Sequence, residues 1–431
     1  MSEPAIESLL LRRRRTLGHP TPLFYDEPLH IVRGDGVWLF DQAGRRYLDA
    51  YNNVPHVGHC HPHVVDALHR QAATLNVHTR YLHENIVRYG ERLTATFDPL
   101  LSTVLFVCTG TEANELALRI ARHHTGARGL LVSDCCYHGN SATLASIATG
   151  VQTNEPFPAH ARALRLPDVL RDLAEGDTPE QLTKRALAEV DAAIAYLQGE
   201  GYGVAALLLD TILGSEGLTR LPPGYLEQLV AKVRAAGGLF IADEVQPGFG
   251  RTGEHFWGYQ SYEVVPDIAT LGKPMGNGHP IGATVTRPEL AGAFLHDAMF
   301  FNTFAGNPVS AAVGLAVLDV IERQQLVRQA HDIGTYVQQQ LGVLAGRHER
   351  VIAVRGKGLF FGLELAKDRR SRAPATAEAR SLINDMRRRG VLISTIGHHG
   401  NVLKMRPPMV FGREHADLLL TTLDEALQAL K

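Results

Sequence analysis

An α/β architecture, with a central, mostly parallel sheet flanked by helices and a smaller α+β domain beside it, is the fold class this sequence predicts. Two observations carry it. Apolar runs of strand length alternate with segments of helical periodicity through most of the chain, the pattern of a sheet covered by helices on both faces. Beyond Ile321 the pattern shortens to a mixture of strands and a helix, which marks a second lobe. At 431 residues, and roughly 100 to 200 residues per domain, the chain is long enough for both. The expected division is an N-terminal segment at 1–65 that joins the small domain, a large domain at 66–310 and the rest of the small domain at 311–431.

Strand candidates fall at 104–108, 129–132, 204–209, 238–242, 267–271 and 281–285. Between them Ala113, Leu116, Ala117, Ile120 and Ala121 stand at i, i+3, i+4, i+7 and i+8. Leu226, Leu229, Val230 and Val233 repeat the spacing, so each set forms the apolar stripe of an amphipathic helix. Pro156, Pro158, Pro167 and Pro179 make 150–180 a long irregular excursion, a kind of segment that often borders an active site. Helices follow around Leu187, Val190, Ile194 and Leu197 and at 311–321. The C-terminal part is expected to hold strands at 351–354 and 359–364 and a helix whose Ala379, Leu382, Ile383 and Met386 share a face.

Composition excludes several functions. Lys plus Arg total 43 against 45 Asp plus Glu, a formal charge of -2, so the field is too weak to hold a nucleic acid by counterion release. No apolar run approaches the ~20 residues of a membrane helix. Glu3 and Glu7 around Leu9 to Leu11, ahead of Arg12 to Arg15, are the reverse of a signal-peptide order, and the basic run reads as a solvated helix end. The four cysteines include the adjacent Cys135 and Cys136. They are expected to be reduced thiols in a cytoplasmic protein, with no structural disulfide.

Three local arrangements carry chemistry. The strand at 104–108 ends in Thr109-Gly110-Thr111-Glu112 and opens directly into a helix, whose free N–H groups and positive dipole end suit a phosphate. The strand at 238–242 delivers Asp243-Glu244-Val245-Gln246, acidic residues at the carboxyl end of a strand, where open α/β sheets bind ligands. Lys273 follows the strand at 267–271 between Gly272 and Gly276, a position that can desolvate its amine into a nucleophile.

Together these parts resemble the fold-type I enzymes dependent on pyridoxal 5'-phosphate (PLP), specifically the class III aminotransferase family, over nearly the whole chain. The resemblance implies that Asp243 pairs with the pyridine nitrogen, that Val245 packs on one ring face and that Tyr137-His138-Gly139 supplies the ring stacked on the other. It implies Gly110 and Thr111 as phosphate ligands, Gln246 as a further cofactor contact and Lys273 as the residue that forms the Schiff base. The segment 302–308 resembles the family stretch whose Thr, here Thr303, reaches the cofactor phosphate of the neighbouring subunit. A homodimer with shared active sites is therefore expected.

Within the family, the segments 51–62, 79–87 and 272–280 look most similar to the phospho-lyase branch, whose members act on ethanolamine phosphate or 5-phosphohydroxy-lysine. Ordinary members place small or aliphatic residues where Asn52, Asn53 and His56 stand. The expected activity is that of a carbon–oxygen lyase eliminating phosphate from a small phosphorylated amine, most simply ethanolamine phosphate. The alternatives are an ω-amino acid or amine transaminase and, least, a PLP-binding protein without activity. Asn53, His56, Arg80 and Arg406 are the candidates for the substrate phosphate, since arginine forks match phosphate oxygens. Asp210-Thr211-Ile212-Leu213-Gly214 departs from the family's Glu-Pro-x-x-Gly and shortens the acid by one methylene. The run His56, His59, Cys60, His61 and His63 is expected to form an active-site loop and no metal site, because Gly58 and Pro62 interrupt any regular presentation of ligands.

Overall fold

The computed structural model describes residues 3–18 and 23–430. Helix α1 (Glu3–Leu17) carries Arg14 and Arg15 in its last turn, where cations complement the helix dipole. Three short strands, β1 (Ile31–Asp35), β2 (Trp38–Asp41) and β3 (Arg46–Asp49), form an antiparallel meander. Helices α2 (Pro62–Thr74) and α3 (Glu84–Thr94) lead from it into the central sheet.

That sheet has seven strands, β4 (Thr103–Val107), β5 (Leu130–Ser133), β6 (Ala161–Leu164), β7 (Ala206–Asp210), β8 (Leu239–Asp243), β9 (Ile268–Leu271) and β10 (Gly282–Thr286). Their order is β4-β10-β9-β8-β7-β5-β6, with β10 antiparallel to both neighbours and the rest parallel. Helices α4 (Gly110–Thr125), α5 (Ala142–Ile147), α6 (Pro179–Gly199), α7 (Tyr225–Ala235) and α8 (Pro288–Asp297) connect or flank the strands. Strand alternation builds two cores. Leu208 and Ile241 join Leu116 and Ile120 of α4 on one face, while Leu207, Leu209 and Phe240 join Leu226 and Val230 of α7 on the other.

The remaining elements are α9 (Pro308–Arg323), α10 (Leu326–Arg347), β11 (Val351–Lys357), β12 (Phe360–Leu365), α11 (Thr376–Arg388), β13 (Val391–Leu392), β14 (Ser394–Ile396), β15 (Val402–Met405) and α12 (Arg413–Ala429). Strands β11, β12, β15 and β14 form an antiparallel sheet, and β13 adds to the first meander parallel to β3, with Val391 opposite Leu48. The first and last parts of the chain are thereby paired.

All six predicted strands occur, displaced by one or two residues at some ends. The stretch 150–180, expected to be irregular, contains the edge strand β6. Only Ala161 and Leu164 of its four residues turn inward, and the Arg162 guanidinium lies 3.3 Å from the centroid of the Tyr196 ring. So short and polar an edge leaves little periodicity to read. The prediction also passed over α10, whose Gly334 presses on the backbone of Gly358, where a Cβ would come within 2.5 Å of the Gly358 oxygen.

Candidate active site

The carboxyl ends of the parallel strands converge on one acid. Strand β8, Leu-Phe-Ile-Ala-Asp, is buried along its length and ends in Asp243. Asp243 Oδ2 accepts from Nδ1 of His138 at 2.7 Å and from Nδ2 of Asn114 at 3.0 Å, and Oδ1 accepts from the Val245 N–H at 3.0 Å. Burial pushes this carboxyl up, but the bonds from His138 and Asn114 outweigh it and hold Asp243 below its ordinary range. Burial likewise works against charge on His138, and the bond to Asp243 prevails, holding the imidazole well above its ordinary value. An anion is thus fixed at the strand end.

Beside it, Thr109 and Glu112 form a reciprocal capping box at the start of α4. The box occupies the N–H of Glu112 but leaves those of Gly110 and Thr111 without an acceptor among the described residues. Gly110 fits closely over Val245, where a Cβ would sit 3.0 Å from Val245 Cγ2. Gly139, at φ +146°, passes Thr111 so closely that a Cβ would lie 2.8 Å from Oγ1. Small residues therefore keep a cradle open at the helix end.

Lys273 lies two residues past β9, half-buried. Its amine makes no hydrogen bond or ion pair among the described residues. Burial first, then repulsion from Arg406, lower its pKa against the pull of Asp243 and Asp210. Arg406 is buried, donating through Nε to Tyr51 O at 3.2 Å and through Nη1 to Gln246 Oε1. Gln246 in turn donates to Asp210 Oδ2 at 3.4 Å. Asp210, directly opposite Asp243 in the sheet, accepts the N–H groups of Ile212 and Gly214 at 2.9 and 3.0 Å. The shortened acid thus closes its own turn, and burial followed by the Asp243 charge raises its pKa.

A second buried amine was missed by the sequence reading. Lys404, on β15, is almost fully buried and makes no hydrogen bond or ion pair among the described residues, its Nζ 5.9 Å from the Phe360 ring centroid. Burial, Arg406 and Lys273 push its pKa well below the ordinary value. The signal was available: a lysine in a strand otherwise Val-Leu-Met. Glu216 faces the same group, one oxygen bonded by Ser133 and the other without a partner.

The remaining predicted residues divide. Asn53 is buried and its Nδ2 has no partner among the described residues. His56 is a correction: it is fully buried, Nε2 donates to Phe249 O at 2.8 Å and Nδ1 accepts from Arg251 at 3.1 Å, so neither ring nitrogen can reach a ligand. Arg80 is exposed, stacked 4.0 Å from the Phe301 centroid, and Thr303 and Tyr137 are exposed too. The other histidines of the run pair separately, His59 with Asp49, His61 with Gln324 and His63 with Asp319. No group of three metal-ligating side chains is assembled among the described residues, and no helix there is long and apolar enough to cross a membrane.

The sequence model described as Aminotransferase class-III matches residues 24–427. The chain belongs to the class-III aminotransferase family. A Drosophila melanogaster relative, alanine–glyoxylate aminotransferase 2-like, is 40% identical over 98% of this chain and 87% of its own. The ethanolamine-phosphate phospho-lyase homolog 1 of Caenorhabditis elegans is 35% identical over 98% and 93%. A solved phospholyase from Arthrobacter in complex with phosphoethanolamine superimposes with a TM-score of 0.96 at 55% identity, covering 98% of this chain and all of that one. Class-III aminotransferase enzymes use PLP, and this site fits it. An ionised strand-end acid, an open cradle with two free N–H groups and an uncommitted lysine are the groups such a cofactor needs. The fold is that of the fold-type I enzymes.

Proposed function

We propose that this class-III aminotransferase family member is a PLP-dependent phospho-lyase that converts ethanolamine phosphate and water to acetaldehyde, ammonia and phosphate. The observation that carries the reading is the buried Lys404, whose amine has no hydrogen bond or ion pair among the described residues and is repelled by Arg406 and Lys273 more than Asp210 and Glu216 attract it. Charging such a buried amine is costly without an anion, and a bound phosphate dianion would offset that cost. Asn53, with its unpartnered Nδ2, supplies a further donor. The similarity to the phosphoethanolamine-bound Arthrobacter phospholyase supports the same substrate.

When bound, the cofactor supplies an electron sink for the carbon that bears the substrate amine. Asp243, kept ionised by His138 and Asn114, would keep the ring nitrogen protonated, Gly110 and Thr111 would hold the cofactor phosphate, and Val245, Tyr137 and Gln246 would confine the ring. The Lys273 amine removes the proton from the amine-bearing carbon. The electrons of that C–H bond form the carbon–carbon double bond as the C–O bond to phosphate breaks. The proton taken by Lys273 is passed to the leaving oxygen, so phosphate departs as a dianion received by Lys404 and Arg406, and water releases the aldehyde and ammonia.

We read the active unit as a homodimer. Tyr81, Leu82, Met299 and Phe304 are strongly exposed apolar side chains, Leu82 fully so, in the two segments that carry Arg80 and Thr303. A second copy over this patch would bring Arg80 and Thr303 to the partner's site. The four unpaired cysteines suit a reducing compartment, and we place the protein in the cytoplasm.

The Drosophila aminotransferase relative favours a second reading, transamination at the same lysine. Incubation with ethanolamine phosphate and no keto acid separates the two. Continuous release of phosphate, ammonia and acetaldehyde in equal amounts is expected. Turnover that stops after one equivalent and resumes with a keto acid would identify a transaminase.

A further inference from the structure

One side chain ties together four of the elements that frame the candidate cofactor site. Asn114 is buried on the first turns of α4, the helix whose start forms the phosphate cradle. Its Nδ2 donates to Asp243 Oδ2 on β8 at 3.0 Å and to the backbone oxygen of His138, in the ring-stacking segment, at 2.7 Å. Its Oδ1 accepts from Thr270 Oγ1 on β9 at 2.6 Å, three residues before Lys273. The carboxamide thus uses both N–H groups and its oxygen, and its orientation is forced, because two acceptors lie on one side and a donor on the other.

We infer that Asn114 and Thr270 are positioning residues that clamp Asp243, Lys273, the 137–139 segment and the phosphate cradle into one cofactor-ready arrangement. Four elements far apart in sequence meet at a single planar group. Thr270 stands opposite Asp243 in the β8–β9 register, and its carbonyl accepts the Glu244 N–H at 2.9 Å, so the clamp adds a side-chain tie where the strands are already paired. Beyond packing, the Asn114 N–H supports the ionised form of Asp243. A purely structural asparagine would have no reason to influence that charge.

The test uses full-length Asn114→Ala, Thr270→Val and Thr270→Ser. Three measurements are made on each: PLP affinity by titrating the cofactor-free protein, the pH midpoint of the loaded enzyme's visible absorbance, and the Tm of the cofactor-free protein. Thr270→Val keeps the shape of the side chain and removes only the hydroxyl. Loss of a hydrogen bond to a charged group corresponds to roughly 10- to 150-fold in an equilibrium constant. Asn114→Ala is expected to weaken PLP binding by about that much, with a shifted absorbance midpoint. Thr270→Val should show a smaller loss in the same direction, and Thr270→Ser should recover wild-type behaviour. If Asn114→Ala does not fold, the contrast between Thr270→Val and Thr270→Ser decides. Wild-type affinity and midpoint in the variants that fold, even with a lowered Tm, would overturn the inference. None of these measurements depends on which substrate is eliminated, so they stand apart from the phospho-lyase proposal.

Discussion

His138 donates to Asp243 across 2.7 Å with both side chains buried, and each moves the other's titration toward the charged form. The pair presents a permanent carboxylate to the cofactor site. Asp243→Asn keeps the shape but removes the charge, and the adjacent imidazole loses its counterion. Turnover is expected to fall by about 100-fold or more, the scale of losing a preorganised electrostatic partner, while far-ultraviolet circular dichroism stays unchanged. Retention of wild-type turnover would remove Asp243 from the site.

Lys273→Ala should abolish turnover and leave the secondary structure intact. In the wild type, borohydride should fix the cofactor covalently to the peptide containing Lys273, as mass spectrometry would show. Attachment to Lys404 instead, the other buried amine of the site, would exchange the roles of the two lysines.

Lys404→Met separates anion binding from folding. Burying an unpaired amine is unfavourable, so the variant is expected to melt no lower than the wild type. Its kcat/KM for ethanolamine phosphate should drop roughly 10- to 150-fold, one charge-assisted bond's worth. Unchanged efficiency with unchanged absorbance would exclude Lys404 from the phosphate pocket.

Burial, followed by the Arg251 charge, lowers the His56 pKa well below its unfolded value of 6.5. Between those two values the unfolded chain binds a proton the folded chain does not, so this residue's contribution to stability shrinks as pH falls below 6.5. The slope is up to about 1.4 kcal/mol per pH unit. In His56→Gln that part of the acid loss should be missing, a difference measurable by urea unfolding at pH 7 and pH 5. Identical pH slopes would contradict the neutral, buried state of the ring.

Leu82→Asp places a charge in the exposed apolar patch. If the active unit is the proposed homodimer, sedimentation should show its dissociation together with loss of activity, since Arg80 and Thr303 would no longer reach a partner. A fully active monomer would refute a shared site.

Much of the candidate site's placement was legible because its residues lie in short motifs at strand ends. Asp243 and Lys273 each follow an apolar run, and Gly110 sits between a strand and a helix, so local pattern gave their places. What escaped reading depends on distant partners. His56 resembled a ligand until the fold brought Arg251 and Phe249 against both its nitrogens. Lys404 looked like one more strand residue, because only the packing of β15 beside Arg406 and Lys273 gives its amine meaning. Asn114 carried no signal in its helical stripe, since its three partners arrive from three other elements.

The pairing of β3 with β13 also constrains how the protein is made. Strand β3 ends at residue 49, and its neighbour begins at residue 391. At about 5 to 20 residues per second, the ribosome needs on the order of tens of seconds to supply the second after the first. Throughout that interval the edge of β3 opposite β2 lacks its native partner strand. The N-terminal meander therefore gains its last native neighbour only when the chain is nearly complete.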